Sequence, residues 1–315
     1  MRVLDAKDVA TALPYDQLIQ ALDKAFASNV QAPQRAHHDV PVPGGSDGTL
    51  LLMPAWQPGQ GMGVKIATVF PDNASHNYPA VFASYFLMSA VTGVPVAVLD
   101  GTELTVRRTA AASALASSYL SRPDSRRLLM VGTGNLAPHL IAAHATARPI
   151  EHVCIWGRRP EAASELADKF SASPFKVTVA ENLEFAVSEA DIISCATLAT
   201  EPLVLGSWLR HGQHLDLVGA FKPGMREVDT DAVRRANVYV DTRAGALSEA
   251  GEIVSAIEKG AISEADICAE LSELAGGIAA GRVDADAITL FKSVGTALED
   301  LAAAELAMQN YTSCA

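Results

Sequence analysis

The sequence is short of most features that would direct a chain to a membrane, to nucleic acid or to the outside of the cell. No apolar run in its 315 residues approaches the roughly twenty that cross a bilayer. The opening Met1-Arg-Val-Leu-Asp-Ala-Lys-Asp8 lacks the apolar core of a signal peptide. Positive charge is scarce, with 24 Lys and Arg against 36 Asp and Glu, a formal net charge of −12. Such a surface repels nucleic acid and anionic lipid, so any anionic ligand must be met by local arginine and lysine. Cysteine is scarce as well. Cys154, Cys195, Cys268 and Cys314 form no C-x-x-C pair, which argues against a zinc site and a disulfide framework. Among the histidines only His37-His38-Asp39 is dense, and adjacent residues of an extended segment point to opposite faces, so no metal is expected there. His211 and His214 flank a Gly-Gln turn and are expected at the surface. These absences predict a cytoplasmic protein with a small-molecule ligand, no nucleic-acid partner and no membrane partner.

What is present is length and rhythm. The chain can build two cores. Residues 1 to 30 predict helices, with Asp5 and Asp16 as caps and Leu18, Ile19, Leu22 and Phe26 at helical spacing. From 34 to 100 short apolar runs (His38 to Val42, Thr49 to Met53, Gly63 to Phe70, Phe82 to Met88, Pro95 to Asp100) alternate with Pro and Gly turns. That texture predicts a largely antiparallel sheet. An alanine- and serine-rich helix follows over 103 to 120. Residues 127 to 243 alternate strand and helix, the rhythm of a doubly wound parallel sheet. The tail from 245 is predicted helical. The expected organisation is a Rossmann-type domain over 119–295, beside an α+β substrate-binding and dimerisation domain over 1–118 plus 296–315.

The densest local signal is Leu128-Leu-Met-Val-Gly-Thr-Gly-Asn-Leu-Ala-Pro138, then Val153-Cys-Ile-Trp-Gly-Arg-Arg-Pro160 one helix later. It reads as a dinucleotide-binding βαβ unit. Gly132 permits the tight turn, Gly134 leaves backbone bare for a pyrophosphate, and Ala137 lets the helix pack close to the sheet. Amides at the start of the helix, around Asn135 and Leu136, attract the phosphate anion. Where a carboxylate would bond a ribose 2′-hydroxyl stand Gly157, Arg158 and Arg159. Guanidinium groups bind a 2′-phosphate that a carboxylate would repel, so the expected cofactor is NADP(H).

Five ordered segments then identify a resemblance: Gly63-Val-Lys-Ile-Ala-Thr-Val-Phe-Pro-Asp-Asn73, Leu104-Thr-Val-Arg-Arg-Thr-Ala-Ala-Ala-Ser-Ala114, Val131-Gly-Thr-Gly-Asn-Leu-Ala137, Leu217-Val-Gly-Ala-Phe-Lys-Pro223 and Leu290-Phe-Lys-Ser-Val-Gly-Thr-Ala-Leu-Glu-Asp300. Together they resemble the ornithine cyclodeaminase/mu-crystallin family over essentially the whole chain. The resemblance implies a Rossmann domain beside an α+β domain whose sheet pairs across a homodimer. It also implies chemistry at an imine carbon next to a carboxylate. By resemblance the carboxylate is clamped by Arg35 and Arg108, with Lys65 as a third cation or proton donor. Thr109 is implied at a cofactor phosphate and Ser293 near the nicotinamide, with Lys292 a weaker candidate.

From the residues themselves, Lys65 sits between Val64 and Ile66 on a strand, where ordinary alternation also allows an exposed side chain. Arg107 and Arg108 point about 100° apart on a helix, so only one can face a site; the resemblance picks Arg108, which leaves Arg107 expected to be solvated or at an interface. Thr197 ends a parallel strand and can bond a ribose or phosphate. Glu249 is either a substrate-side carboxylate or an exposed helical glutamate. Phe221 decides the subclass. Cyclodeaminases of the family carry an aspartate at this place, and phenylalanine transfers no proton. The expected function is therefore NADPH-dependent reduction of a cyclic ketimine acid, Δ1-pyrroline-2-carboxylate to proline, with the six-membered homologue also fitting. The ring would pack near Phe221 and Met53. The alternatives are an ornithine cyclodeaminase or related amino-acid dehydrogenase such as alanine dehydrogenase, and a non-catalytic NADPH-binding protein.

Overall fold

The computed structural model describes residues Met1–Ser313; Cys314 lies outside the described residues. The chain divides into two compact units. One takes Met1–Thr109 together with the chain from Thr296 on, and the other is Ala110–Gly295.

The first unit contains β1 (Arg2–Leu4), α1 (Ala6–Ala12), α2 (Tyr15–Phe26), β2 (Ala36–Val40), β3 (Gly48–Trp56), β4 (Gly61–Val69), β5 (Val81–Ser89) and β6 (Pro95–Asp100). The strands form a six-stranded sheet in the order β1-β6-β5-β4-β3-β2. All neighbours are antiparallel except β1, which pairs parallel to β6. The helical expectation for residues 1 to 30 thus missed β1, because three residues give no period to read. Asp5 does cap α1, accepting a hydrogen bond from Asp8 N. Along β4 burial alternates. Gly61, Gly63, Lys65 and Ala67 face inward, and Met62, Val64, Ile66 and Thr68 are only half-buried. Apart from Lys65 these inward positions are small, and α11 (Ala297–Ser313) packs against the strand. A Cβ at Gly61 would lie 1.7 Å from the Glu305 carboxylate, and one at Gly63 would lie 2.3 Å from the Tyr85 hydroxyl.

α3 (Gly101–Leu120) leads from the first unit into the second. The division falls at Thr109/Ala110 within this helix, where the expectation put it at 118/119. From Ala110 the helix turns to small, fully buried residues, Ala110, Ala111, Ala112, Ser113 and Ala114.

The second unit runs β7 (Arg127–Val131), α4 (Ala137–Ala147), β8 (His152–Trp156), α5 (Pro160–Asp168), β9 (Lys176–Val179), α6 (Leu183–Glu189), β10 (Ile192–Cys195), β11 (His214–Leu217), α7 (Thr230–Arg235), β12 (Asn237–Val240), α8 (Arg243–Glu249), α9 (Gly251–Glu258), β13 (Ile267–Glu270), α10 (Leu271–Ala275) and β14 (Thr289–Lys292). Its sheet has eight strands in the order β13-β12-β14-β11-β10-β7-β8-β9, all parallel. This is a Rossmann-type doubly wound sheet. Its strand order reverses between β7 and β10, and ligands of such sheets bind beyond the strand ends at that reversal.

Two expectations need correction here. The tail from 245 is not wholly helical, because β13 and β14 lie in it and β14 sits centrally between β11 and β12. All four β14 residues are buried, and a short run buried on both faces cannot be told from a helix by periodicity. His214 is not a surface residue either. It lies in β11, fully buried, with Nδ1 3.0 Å from Thr289 Oγ1. Burial pulls its pKa down to about 3, so the ring stays neutral. Close by, His144 Nε2 lies 3.1 Å from Asp216 Oδ2, and Ser194 donates to the same oxygen at 2.6 Å. These contacts join His144, Asp216 and Ser194, while His144 Nδ1, His214 Nε2 and Asp216 Oδ1 have no partner among the described residues.

Candidate active site

The glycine turn after β7 has the geometry its sequence demands. Gly132 has φ +123°, and a Cβ there would lie 2.6 Å from Ala196 O. Its N–H donates to Trp156 O at 2.8 Å, which ties the turn to the end of β8. Beyond its own chain neighbours, Gly134 has nothing within 4 Å of where a Cβ would be. Asn135 is exposed, and Leu136 is the N-cap residue of α4. Between the turn, the end of β8 and the loop after β10 lies a cavity of about 560 Å³, lined among others by Gly132, Gly134, Arg158, Arg159 and Thr197. Arg158 and Arg159 are exposed, and no carboxylate pairs with either among the described residues. A bare-backbone cradle, a helix start and two unpaired guanidinium groups fit the phosphates of a dinucleotide.

Thr197 lines this cavity, but its side chain is already committed. Its N–H and hydroxyl both donate to Glu227 Oε1, at 2.6 and 2.9 Å. Ser293 is 3% exposed and donates its hydroxyl to Asp241 Oδ2 at 3.0 Å. The same oxygen accepts from Val294 N and Gly295 N, so Asp241 shapes the 293–295 turn. Lys292 is fully buried, with Nζ 3.3 Å from Glu252 Oε2. Phe221 is 37% exposed in the loop after β11, with Lys222 Nζ 6.0 Å from its ring centre. Glu249, at the end of α8, is half-buried with a polar partner of its own.

The first unit holds the other half of the expected residues. Lys65 faces inward and is 3% exposed, with Met53 and Tyr85 as its cross-strand neighbours. Arg108, on α3, is 4% exposed. Neither is a bare cation. Lys65 Nζ donates to Asp300 Oδ1 at 2.9 Å and lies 2.8 Å from Oδ2. Arg108 donates from Nε to Asp300 Oδ1 at 2.9 Å and from its terminal nitrogen to Glu299 at 2.5 Å. Two consecutive carboxylates of α11 therefore hold both cations. Burial lowers the Lys65 pKa, Arg108 and Arg35 lower it further, and Asp300 opposes them, leaving it at about 8. Burial also works against charge on Arg108, yet Asp300 and Glu299 hold its pKa above the ordinary arginine value.

Arg35, just before β2, is half-buried and close enough to act on Lys65. Met53 is 2% exposed. Thr109, next along α3, is half-buried. Arg107 is neither solvated nor idle. It donates to Glu103 at 2.6 Å and to Leu13 O at 3.2 Å, and its guanidinium lies 5.6 Å from the Tyr15 ring centre. Glu299, Asp300, Glu227 and Glu252 are the residues that sequence reasoning missed. Glu299 and Asp300 were inside a quoted motif. Their signal was an adjacent acidic pair in an otherwise apolar helix start, where charges are buried only when paired.

The fold is that of a nucleotide-binding α/β protein with a separate α+β unit, and a model of the ornithine cyclodeaminase/mu-crystallin family matches residues 1–314. The chain belongs to that family. It is 40% identical over 310 residues to a Δ1-pyrroline-2-carboxylate reductase of Colwellia psychrerythraea, covering 96% of this chain and 97% of that protein. The structure of Thermococcus litoralis Δ1-pyrroline-2-carboxylate reductase in complex with NADH and L-proline superposes with a TM-score of 0.94 at 33% identity, covering 100% of this chain and 98% of that one. An archaeal alanine dehydrogenase dimer with bound NAD gives a TM-score of 0.92 at 30% identity, covering 100% and 97%. Among the described residues no helix is long and apolar enough to cross a membrane.

Proposed function

We propose that the protein is an NADPH-dependent reductase of cyclic ketimine acids, converting Δ1-pyrroline-2-carboxylate to L-proline. The observation that carries this reading is Lys65. It is an ammonium group buried beside Arg108 on the Asp300 carboxylate, with its pKa drawn down to about 8. A ketimine must be protonated at nitrogen before its C2 accepts hydride. A lysine poised near neutrality can supply that proton, whereas an ordinary lysine holds its proton too tightly. Arg35 and Arg108 are the proposed carboxylate clamp, because a planar guanidinium matches two carboxylate oxygens. Asp300 and Glu299 fix the direction of Arg108 beforehand. Met53 and Phe221 are the proposed apolar contacts of the ring.

The dinucleotide, when bound, supplies the hydride. The residues proposed to hold it are Gly132, Gly134, Asn135, Leu136, Thr109, Arg158, Arg159, Thr197 and Ser293. Thr197 would act through its backbone and its place in the cavity wall, and Ser293 through the turn it shapes. NADPH rather than NADH follows from Arg158 and Arg159, two unpaired cations where a 2′-phosphate would lie. The relatives of known structure cited above hold NADH and NAD, so the preference of this chain is a matter for direct competition.

The same reading makes the protein a cytoplasmic homodimer. Its support is the outer face of the first sheet. There Val64 stands opposite Phe86, and Met62 stands opposite Trp56 and Met88. Phe82 and Phe86 are 46% and 36% exposed, an apolar surface of the kind a partner covers.

The test is NADPH oxidation with Δ1-pyrroline-2-carboxylate, run beside ornithine plus NAD assayed for ammonia. Proline formed with NADPH consumed is the expected result. Ammonia and proline from ornithine would instead mean that a group other than Phe221 does the work of the cyclodeaminase aspartate. Tight NADPH binding without turnover of any imine would favour a pure binding protein.

A further inference from the structure

We propose that Glu227 is the positioning residue of the dinucleotide site: its one carboxylate ties the loop after β10 to the loop after β11, and Glu252 and Lys292 hold it in place. This rests on the reading of the second unit as the dinucleotide-binding one.

The geometry is specific. Glu227 is fully buried at the end of the loop that carries Phe221. Its Oε1 accepts from Thr197 N at 2.6 Å and from the Thr197 hydroxyl at 2.9 Å. Its Oε2 accepts from Gly219 N at 2.8 Å and, at 3.4 Å, from Ala220 N. The two loops also touch directly, since a Cβ on Gly219 would lie 2.1 Å from Thr197 N and 2.5 Å from Glu227 Oε1. Thr197 and the adjacent Ala196 line the 560 Å³ cavity, and Gly219 and Ala220 lead straight into Phe221. A single carboxylate therefore sets both the floor of the proposed cofactor site and the residue proposed to touch the substrate ring.

The charged and titratable groups that face Glu227 come from three elements. Lys292 faces it from β14, Glu252 from α9 and the Cys195 thiol from β10. Glu252 also accepts the Glu227 backbone N–H at 2.9 Å, and Lys292 Nζ lies 3.3 Å from Glu252. Every partner of the Glu227 oxygens is a donor. A protonated carboxyl turns one of its oxygens into a donor as well, which sets two hydrogens against each other and releases a loop contact. Burial pushes the Glu227 pKa up, Lys292 lowers it and Glu252 raises it, leaving it at about 7, so this loss falls in an accessible range.

The experiment measures binding of NADH and NADPH to the full chain by fluorescence between roughly pH 5.5 and 8.5, a window centred on that value. The NADH arm is decisive, because the 2′-phosphate of NADPH titrates itself. Amide hydrogen exchange at Thr197 and Gly219, in protein free of dinucleotide, is followed in parallel. NADH affinity is expected to fall as pH drops through about 7, approaching tenfold per unit, while exchange at both amides rises. Glu227→Gln is expected to bind weakly with a flat profile. Glu252→Gln, which keeps an acceptor for Glu227 N but removes a negative neighbour, is expected to move the midpoint to lower pH. That shift is one a merely structural role would not produce, and it decides the matter even if Glu227→Gln fails to fold. Binding whose pH profile is the same in Glu227→Gln, or an unmoved midpoint in Glu252→Gln, would overturn the proposal alone. Failure of the wild type to bind either dinucleotide at any pH would overturn the cofactor reading and this proposal with it.

Discussion

Lys65 takes its chemistry from its neighbours. An ordinary lysine stays charged well above neutrality, but here burial and Arg108 destabilise the ammonium and Asp300 only partly restores it. The expected consequence is a fall in kcat/KM for imine reduction as pH rises through about 8. Lys65→Arg, whose side chain does not deprotonate, should be slow but should lack that limb. The stability term has the opposite sense. The unfolded chain binds the lysine proton up to its ordinary pKa of 10.5 and the folded chain releases it near 8, so between these values stability gains as pH rises. Arg158 is the residue proposed to carry the cofactor preference. Arg158→Ala is expected to lower the ratio of NADPH to NADH affinity by roughly ten- to a hundredfold, the loss of one or two charge-assisted bonds. An unchanged ratio in a direct competition would remove the 2′-phosphate argument. The place of Arg158 on the cavity of the glycine turn was legible in the sequence, because it depends on register with that turn. The ion pairs of Lys65 and Arg108 were not, because Asp300 is distant in sequence and reaches them only through the packing of α11.

At the scale of elements, α11 joins the first sheet and α3. Its Asp300 bonds Lys65 of β4 and Arg108 of α3, and Glu299 takes the rest of Arg108. Removing one member of a buried ion network strands the others. Asp300→Ala is therefore expected to cost about 3–5 kcal/mol of stability, read as a shift in the urea midpoint. Asp300→Asn, which keeps one acceptor oxygen, should cost less. A midpoint unmoved in Asp300→Ala would mean that the cations find other partners. The strands of the first sheet and the β7-to-β12 alternation were readable because their apolar runs are long or sharply bounded. β1 and β14 were not. The first is too short to show a period, and the second is buried on both faces and carries a lysine whose partner, Glu252, lies far along the chain.

For the whole molecule, the outer face of the first sheet is the feature the single chain leaves unexplained. Val64, Ile66, Phe82 and Phe86 stand there without a covering layer among the described residues. If that face is the homodimer interface, Ile66→Asp places a charge against an apolar partner surface. The protein should then run as a monomer in light scattering, where the wild type runs as a dimer. A wild-type monomer, or an Ile66→Asp dimer, would count against this assignment.

The sequence by itself determined the class of each unit, the glycine turn and the basic end of β8. These are local properties. Period, turn chemistry and the identity of a side chain at a known register are written within a few dozen residues of one another. Only the tertiary structure decided how the charges are held. Asp300 and Glu299 on Lys65 and Arg108, and Asp241 on Ser293, join residues distant along the chain, and Glu227 joins Thr197 to the nearby Gly219 across two different loops. Burying a charge is favourable only where a partner is brought to it, and which partner arrives is set by the packing of helix on sheet rather than by any spacing in the sequence.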